Sequence, residues 1–269
     1  MITFPNAKIN LGLHVLQKRE DGYHNIETLF YPIPLQDALE ILPTGEAFAF
    51  SASGLPLDCA LEDNIVVQAY RLLKADFHLP NVKIHLHKHI PFGAGLGGGS
   101  ADAAFTLKML NAMFELHLSD KQLEDYAAKI GADCAFFIKN KPAIASGIGE
   151  QLSAYDLDLS GKYFLLVKPA ETVATAQAYK YVQPKVPERT LQEILEKPIA
   201  DWKMSLKNDF EGSVFQQVPS LFDIKHELYA MGARYAAMSG SGSSIYGLFD
   251  QKPADNPIFA SHFCFETIL

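Results

Sequence analysis

Ten residues, Pro91-Phe-Gly-Ala-Gly-Leu-Gly-Gly-Gly-Ser100, separate an alternating apolar stretch ending at Ile90 from an alanine-rich stretch beginning at Ala101. Five of the seven residues from Gly93 to Gly99 are glycine, far more than a turn needs. Glycine lets the backbone approach a ligand closely and adopt positive φ. Where such a loop opens a helix, the first N–H groups and the macrodipole form a cradle for phosphate. Ser100 adds a hydroxyl suited to phosphate or to a magnesium ion. The chain has no GxxxxGK[ST], which excludes a Walker A loop. Gly93-x-Gly95-x-x-Gly98 matches the dinucleotide pattern, but the preceding strand has the wrong character. Residues 82–90 place Val82, Ile84, Leu86 and Ile90 on one face and Lys83, His85, His87 and His89 on the other. A Rossmann first strand is apolar on both faces.

The rest of the chain surrounds this loop with mixed elements. Ala7, Ile9, Leu11, Leu13 and Val15 alternate with Lys8, Asn10, Gly12 and His14, which predicts a half-buried strand. Further strands are expected at 29–42, 47–51, 142–146, 162–168, 234–238 and 245–249. Helices are expected at 64–75, 101–116 and 174–182. Ser119 with Gln122 and Thr190 with Glu193 are capping boxes that open two more, and Pro219 starts another that ends at Gly232. Cys134 to Ile138 is a short apolar segment. The irregular order of strands and helices predicts an α+β architecture. At roughly 150 residues per domain, 269 residues suggest about two, and the polar, turn-rich stretch 153–161 is the candidate boundary.

Composition narrows the function. With 48% hydrophobic and 20% charged residues the chain is ordinary globular material. A net charge of -8 argues against a nucleic-acid partner. Cys59, Cys134 and Cys264 are odd in number and lack CxxC spacing, so they read as reduced thiols of a cytoplasmic protein. No apolar run suits a signal peptide or a membrane span, so no membrane partner is expected. The size and the loop suggest an enzyme acting on a small molecule.

Individual residues are less decisive. Lys8 and Asn10, taken alone, read as solvated strand positions. Asp133, between Gly131-Ala132 and the apolar Cys134-Ala-Phe-Phe-Ile138, is either a helix cap or a buried functional carboxylate. Ser239-Gly-Ser-Gly-Ser-Ser244 is either a hairpin turn or a second wall of a phosphate or substrate site. His85, His87 and His89 have no acid or cysteine at ligand spacing, so they read as a solvated face and no metal site is assigned.

Together these pieces resemble the GHMP kinase family, whose pattern P-x-x-x-G-L-G-[GS]-S appears here as PFGAGLGGGS. NAKINLGL at 6–13, REDGYHNIETLF at 19–30, GLGGGSADAA at 95–104, GADCAFF at 131–137, NDFE at 208–211 and MSGSGSSIYGLF at 238–249 extend the likeness over almost the whole chain. Within the family, DGYH and the triple-glycine loop are similar to kinases of a cytidine-diphosphate-linked methylerythritol. The resemblance implies phosphorylation of that acceptor's 2-hydroxyl by ATP with Mg2+, in the non-mevalonate route to isoprenoid precursors. It implies a two-lobed α+β fold, with a nucleotide-binding lobe over 1–157 and a ferredoxin-like lobe over 158–269, in a monomer or weak homodimer.

The resemblance also implies roles. Asp133 is the catalytic carboxylate and Lys8 its partner at the phosphoryl acceptor. Pro91, Gly93, Gly95, Leu96, Gly97, Gly98, Gly99 and Ser100 form the nucleotide cradle, and Asn64 and Lys88 contact the base end of the nucleotide. Asn10, Tyr23 and His24 meet the acceptor, with Tyr23 stacking on cytosine and Tyr179 closing on its other face. Thr175, Gly240 and Gly242 complete that wall. Asn6 stands where the family commonly has proline, and Ala101-Asp102 where Ser-Asn is commoner.

Overall fold

The computed structural model describes residues 1–57 and 59–269. In the strand Asn6–Lys18, Ala7, Ile9, Leu11, Leu13 and Val15 are buried, as their alternation predicts. The opposite face is buried as well, with Lys8, Asn10 and His14 only 3%, 2% and 4% exposed. The expected half-buried strand is therefore covered on both sides. Asn10 persists there because it is partnered: its Nδ2 donates to Thr28 Oγ1 at 3.0 Å, and that hydroxyl donates to the Gly12 carbonyl. A buried polar group without such partners costs about 1–3 kcal/mol.

The chain forms two compact units, each drawn from separated stretches. One comprises Met1–Lys8, Pro34–Phe92 and Gly97–Lys141; the other comprises Ile9–Ile33, Gly93–Leu96 and Pro142–Leu269. The polar stretch 153–161 lies inside the second unit, and a cut after residue 157 follows neither unit.

The first unit holds a four-stranded sheet in the order Ile2–Thr3, Ala38–Pro43, Val82–Lys88, Ala49–Gly54. The last two strands run parallel and the others antiparallel. Its core comes from the inner face of Val82–Lys88 and from the helices Ile65–Phe77, Gly98–Met113 and Asp120–Ala128. Asn64 caps the first of these by accepting the Val66 N–H, and the Ser119–Gln122 capping box opens the third. The apolar segment after Asp133 becomes a single helical turn, Phe136–Lys139, with three of its four side chains buried.

The second unit holds an antiparallel sheet in the order Tyr235–Met238, Ile245–Phe249, Tyr163–Lys168, Phe263–Ile268. The helices Glu211–Gln217 and Pro219–Ala230 supply Val214, Leu221, Ile224 and Leu228 to its core, together with Leu13, Val15 and Ile26. The strand His24–Gln36 pairs with Ala143–Ser146, which pairs with Gln151–Ala154. The expected strand at 29–42 is in fact two, because Asp37 interrupts it. Thr190 and Glu193 form the second capping box, at Leu191–Leu195.

Candidate active site

In the first unit, Gly97 is the N-cap of the helix Gly98–Met113, at φ 67°, and no side chain caps it. The first-turn N–H groups of a helix have no intrahelical partner, and this end is open to an anion or to water. A Cβ at Gly97 would lie 3.0 Å from the Phe137 ring and 3.2 Å from Lys8 Cε. A side chain here would fill the space beside the lysine. Lys8 Nζ stands 3.4 Å from Asp133 Oδ2, with the lysine side chain 4% and the aspartate 34% exposed. Asp133 sits on the turn between Gly131 and the Phe136–Lys139 helix, so its carboxylate is held by buried neighbours yet reachable from outside. Burial lowers the Lys8 pKa, and Asp133 acts in the opposite direction. Asp133 thus pairs with a buried cation, and Lys8 is not a solvated position.

Ser100 follows in the same helix, and burial pushes the nearby Cys134 thiol up to about 11. Lys88 ends the strand Val82–Lys88. It is buried, and its ammonium is held by Asp37 and Asp102 Oδ2, the latter at 2.7 Å. Asn64 uses its side-chain oxygen to cap a helix. His85 and His87 are hydrogen-bonded to Ser51 and Ser53 on the neighbouring strand. Among the described residues, no group of three or more His, Cys, Asp or Glu side chains is arranged to hold a metal.

In the second unit, the start of the glycine loop meets the Ser239–Ser244 segment. Gly95, at φ 75°, packs so closely on Ser239 that a Cβ would strike its carbonyl oxygen. Ser239 Oγ donates to the Gly95 carbonyl at 2.8 Å and accepts the Asn10 N–H at 3.2 Å. Asn208 Nδ2 donates to the carbonyls of Met238 and Gly240, both at 2.8 Å, and Thr175 Oγ1 lies 3.0 Å from Ser241 Oγ. Asn10, Gly95, Gly240 and Thr175 are therefore joined through Ser239, Asn208 and Ser241. The second glycine-serine segment is a wall packed on the first loop as well as a link between two strands.

The aromatics assigned to the acceptor lie in two different settings. Tyr179 stacks on His24, with ring centroids 4.8 Å apart, and meets Phe210 edge-on. Tyr23 is 61% exposed, in the turn before the strand, with its N–H bonded to Asp21. One face of the Tyr179 ring is thus taken by His24, the first residue of the strand His24–Gln36. Burial, then Lys18, lowers the His24 pKa.

Asp37 escaped the sequence reading, and Asp102, Asn208 and Ser239 stood in motifs it named without receiving these partners. Alternation along residues 82–90 did carry one signal, since it puts Lys88 on the inner face, where an ammonium needs a buried acid.

Two family models match the chain: GHMP kinases N terminal domain over residues 64–141 and GHMP kinases C terminal over 190–259. A 4-diphosphocytidyl-2-C-methyl-D-erythritol kinase from Bacteroides fragilis (strain YCH46) is 56% identical over 100% of both chains. One from Parabacteroides distasonis is 52% identical over 99% of this chain and 98% of its own. Among solved structures, a 4-(cytidine 5'-diphospho)-2C-methyl-D-erythritol kinase superposes with a TM-score of 0.83 at 32% identity, covering 99% of this chain and 98% of that one. The mevalonate kinase of Methanococcus jannaschii, at TM-score 0.70 and 14% identity over 99% and 97% of the two chains, shares the fold. With relatives of this identity along its whole length and the loop and Lys8–Asp133 pair in place, the chain belongs to the GHMP kinase family.

Proposed function

We propose that the protein transfers the γ-phosphoryl group of ATP to the 2-hydroxyl of 4-diphosphocytidyl-2-C-methyl-D-erythritol, in the non-mevalonate route to isoprenoid precursors. The observation that carries the chemistry is the buried Lys8 ammonium 3.4 Å from the accessible Asp133 carboxylate. Full-length similarity to kinases of that name supports the choice of acceptor.

Phosphoryl transfer needs positioning and charge neutralisation more than covalent chemistry. The N–H groups of Gly98, Gly99 and Ser100, at the uncapped helix start, bind phosphate oxygens. Asp133 accepts the proton of the attacking hydroxyl at a carboxylate oxygen. Lys8 pairs with that carboxylate and stabilises charge on the reacting oxygens. Asn10, Tyr23 and His24 orient the acceptor, with the exposed Tyr23 ring offered to the base.

Magnesium fits as a metal brought in on ATP. Mg2+ takes few protein ligands, usually one or two oxygens beside substrate phosphates, and the Ser100 hydroxyl and the Asp133 carboxylate are donors of that kind. When bound, it supplies further neutralisation of the phosphate charge. The reading is of a cytoplasmic enzyme, a monomer or weak homodimer, with small-molecule substrates and neither nucleic acid nor membrane as partner. The net charge of -8 supports the absence of a nucleic-acid partner.

The test is a coupled ADP-release assay with ATP and magnesium over a panel of acceptors. Turnover is expected with 4-diphosphocytidyl-2-C-methyl-D-erythritol and not with mevalonate or homoserine. Preference for either of the latter would overturn the acceptor assignment.

A further inference from the structure

Under the helix that opens at Gly98, three buried charged side chains meet with no part in the chemistry above. Asp37 is 1% exposed, Lys88 4% and Asp102 2%. Lys88 Nζ donates to Asp37 Oδ2 and, at 2.7 Å, to Asp102 Oδ2. Asp37 Oδ1 accepts the N–H groups of His89 at 2.6 Å and Ile90 at 2.8 Å, the two residues that lead into the glycine loop. Asp102 lies in the second turn of the helix by which the loop ends. A Cβ at Gly98 would stand 3.5 Å from Lys88 Nζ. One ammonium thus ties the entrance of the loop, through Asp37, to its exit, through Asp102.

This cluster is not an economical way to stabilise a core. Two carboxylates share one cation, and Asp102 Oδ1 has no hydrogen-bond partner. Burial raises the Asp102 pKa well above the usual carboxylate range, while the two acids outweigh burial and raise that of Lys88. Buried ion pairs are commonly matched or exceeded in stability by apolar packing, and their best-attested use is to fix register. Here the register concerns a helix whose first N–H groups must converge on phosphate.

We propose that Lys88 and Asp102 are positioning residues for ATP: their bridge locks the first turns of the helix to the strand entering the glycine loop, and Lys88 itself does not touch the nucleotide. The proposal rests on the reading that this loop binds the phosphates of ATP. It differs from the direct nucleotide contact that family resemblance suggests for Lys88.

The variant that separates the cases is Asp102→Ala. It removes an under-partnered acid and leaves Lys88 paired with Asp37, so the protein is expected to fold with a melting temperature within a few degrees of wild type. A misplaced binding group costs up to roughly 100-fold. The affinity for a non-hydrolysable ATP analogue, measured by calorimetry, is expected to fall at least about tenfold, with the Michaelis constant of the acceptor unchanged within about twofold. Asp102→Asn keeps a carbonyl oxygen for Lys88 and is expected to restore affinity to within about threefold of wild type. Lys88→Met combined with Asp102→Ala is expected to be no worse than the weaker-binding single variant, as in any pair acting as a unit. Unchanged analogue affinity in Asp102→Ala, or no rescue in Asp102→Asn, overturns the proposal. Absence of analogue binding by the wild-type protein would remove the phosphate-cradle reading and this one with it. Wild-type binding without turnover of the acceptor would overturn only the proposed reaction.

Discussion

Lys8 has two demands on it: in the proposed reaction it must stay charged to serve the phosphoryl group, and it is buried. Burial favours the neutral amine, and Asp133 resists that. A lysine whose pKa is lowered loses its proton earlier as pH rises. The turnover number is therefore expected to decline on the alkaline side below the ordinary lysine value of about 10.4. Lys8→Arg, whose guanidinium does not titrate in this range, is expected to flatten that limb whatever its absolute rate. A wild-type profile level to pH 10.5 would contradict the role. Asp133→Asn is expected to lower turnover at least about 100-fold, since general-base contributions run roughly 10²–10⁴-fold, with both substrates still bound. More than a tenth of the wild-type rate would remove Asp133 from the chemistry. Tyr23 is exposed and packs in no core, so Tyr23→Ala is expected to leave the melting temperature alone. On a stacking scale of about 1–3 kcal/mol it should raise the acceptor Michaelis constant roughly 5- to 150-fold. Tyr179→Ala also breaks contacts to His24 and Phe210, so it is expected to lower the melting temperature too. Steady-state kinetics with thermal denaturation separates the two tyrosines.

At the scale of elements, the helix Gly98–Met113 and the loop before it act together. Gly97→Val forces a branched side chain into positive φ and toward Phe137 and Lys8. Calorimetry is expected to show ATP binding lost while acceptor binding persists; unchanged ATP affinity would mean that the phosphates bind elsewhere. This loop was legible in the sequence because glycine density is a backbone signal, carried within one stretch. The two capping boxes were legible for the same reason, since each is complete within four residues. What escaped is long-range. The burial of both faces of Asn6–Lys18 depends on Thr28 and Asp133, and period-two alternation cannot report such partners. Phe263–Ile268 was not expected as a strand, and it is one by its pairing with Tyr163–Lys168, about a hundred residues away in sequence. Asp37 ends one strand and begins another because both its carboxylate oxygens are engaged by Lys88, His89 and Ile90, some fifty residues away.

For the whole molecule, family and architecture were readable from motifs spread from Asn6 to Phe249, whereas the division into compact units was not. The chain passes from one unit to the other after residues 8, 33, 92, 96 and 141, and a reading along the sequence looks for one boundary. This interleaving has a consequence for fragments. Residues 158–269 contain a complete antiparallel sheet, but the core against it includes Leu13, Val15 and Ile26. Burying such side chains contributes about 1.5–3 kcal/mol each, against a total stability for a domain of about 5–15 kcal/mol. A fragment of residues 158–269 is expected to show no cooperative thermal transition by circular dichroism, and a sharp one would contradict the shared core. The reaction is likewise a property of the whole chain, and phosphorus NMR of the product tests it most directly. The wild-type protein is incubated with ATP, magnesium and 4-diphosphocytidyl-2-C-methyl-D-erythritol, in parallel with Asp133→Asn. The expected result is a new phosphomonoester resonance, equal in amount to the ADP released, coupled to the 2-position of the acceptor and absent with Asp133→Asn. ADP and free phosphate without that resonance, or an equal yield from Asp133→Asn, would contradict the account.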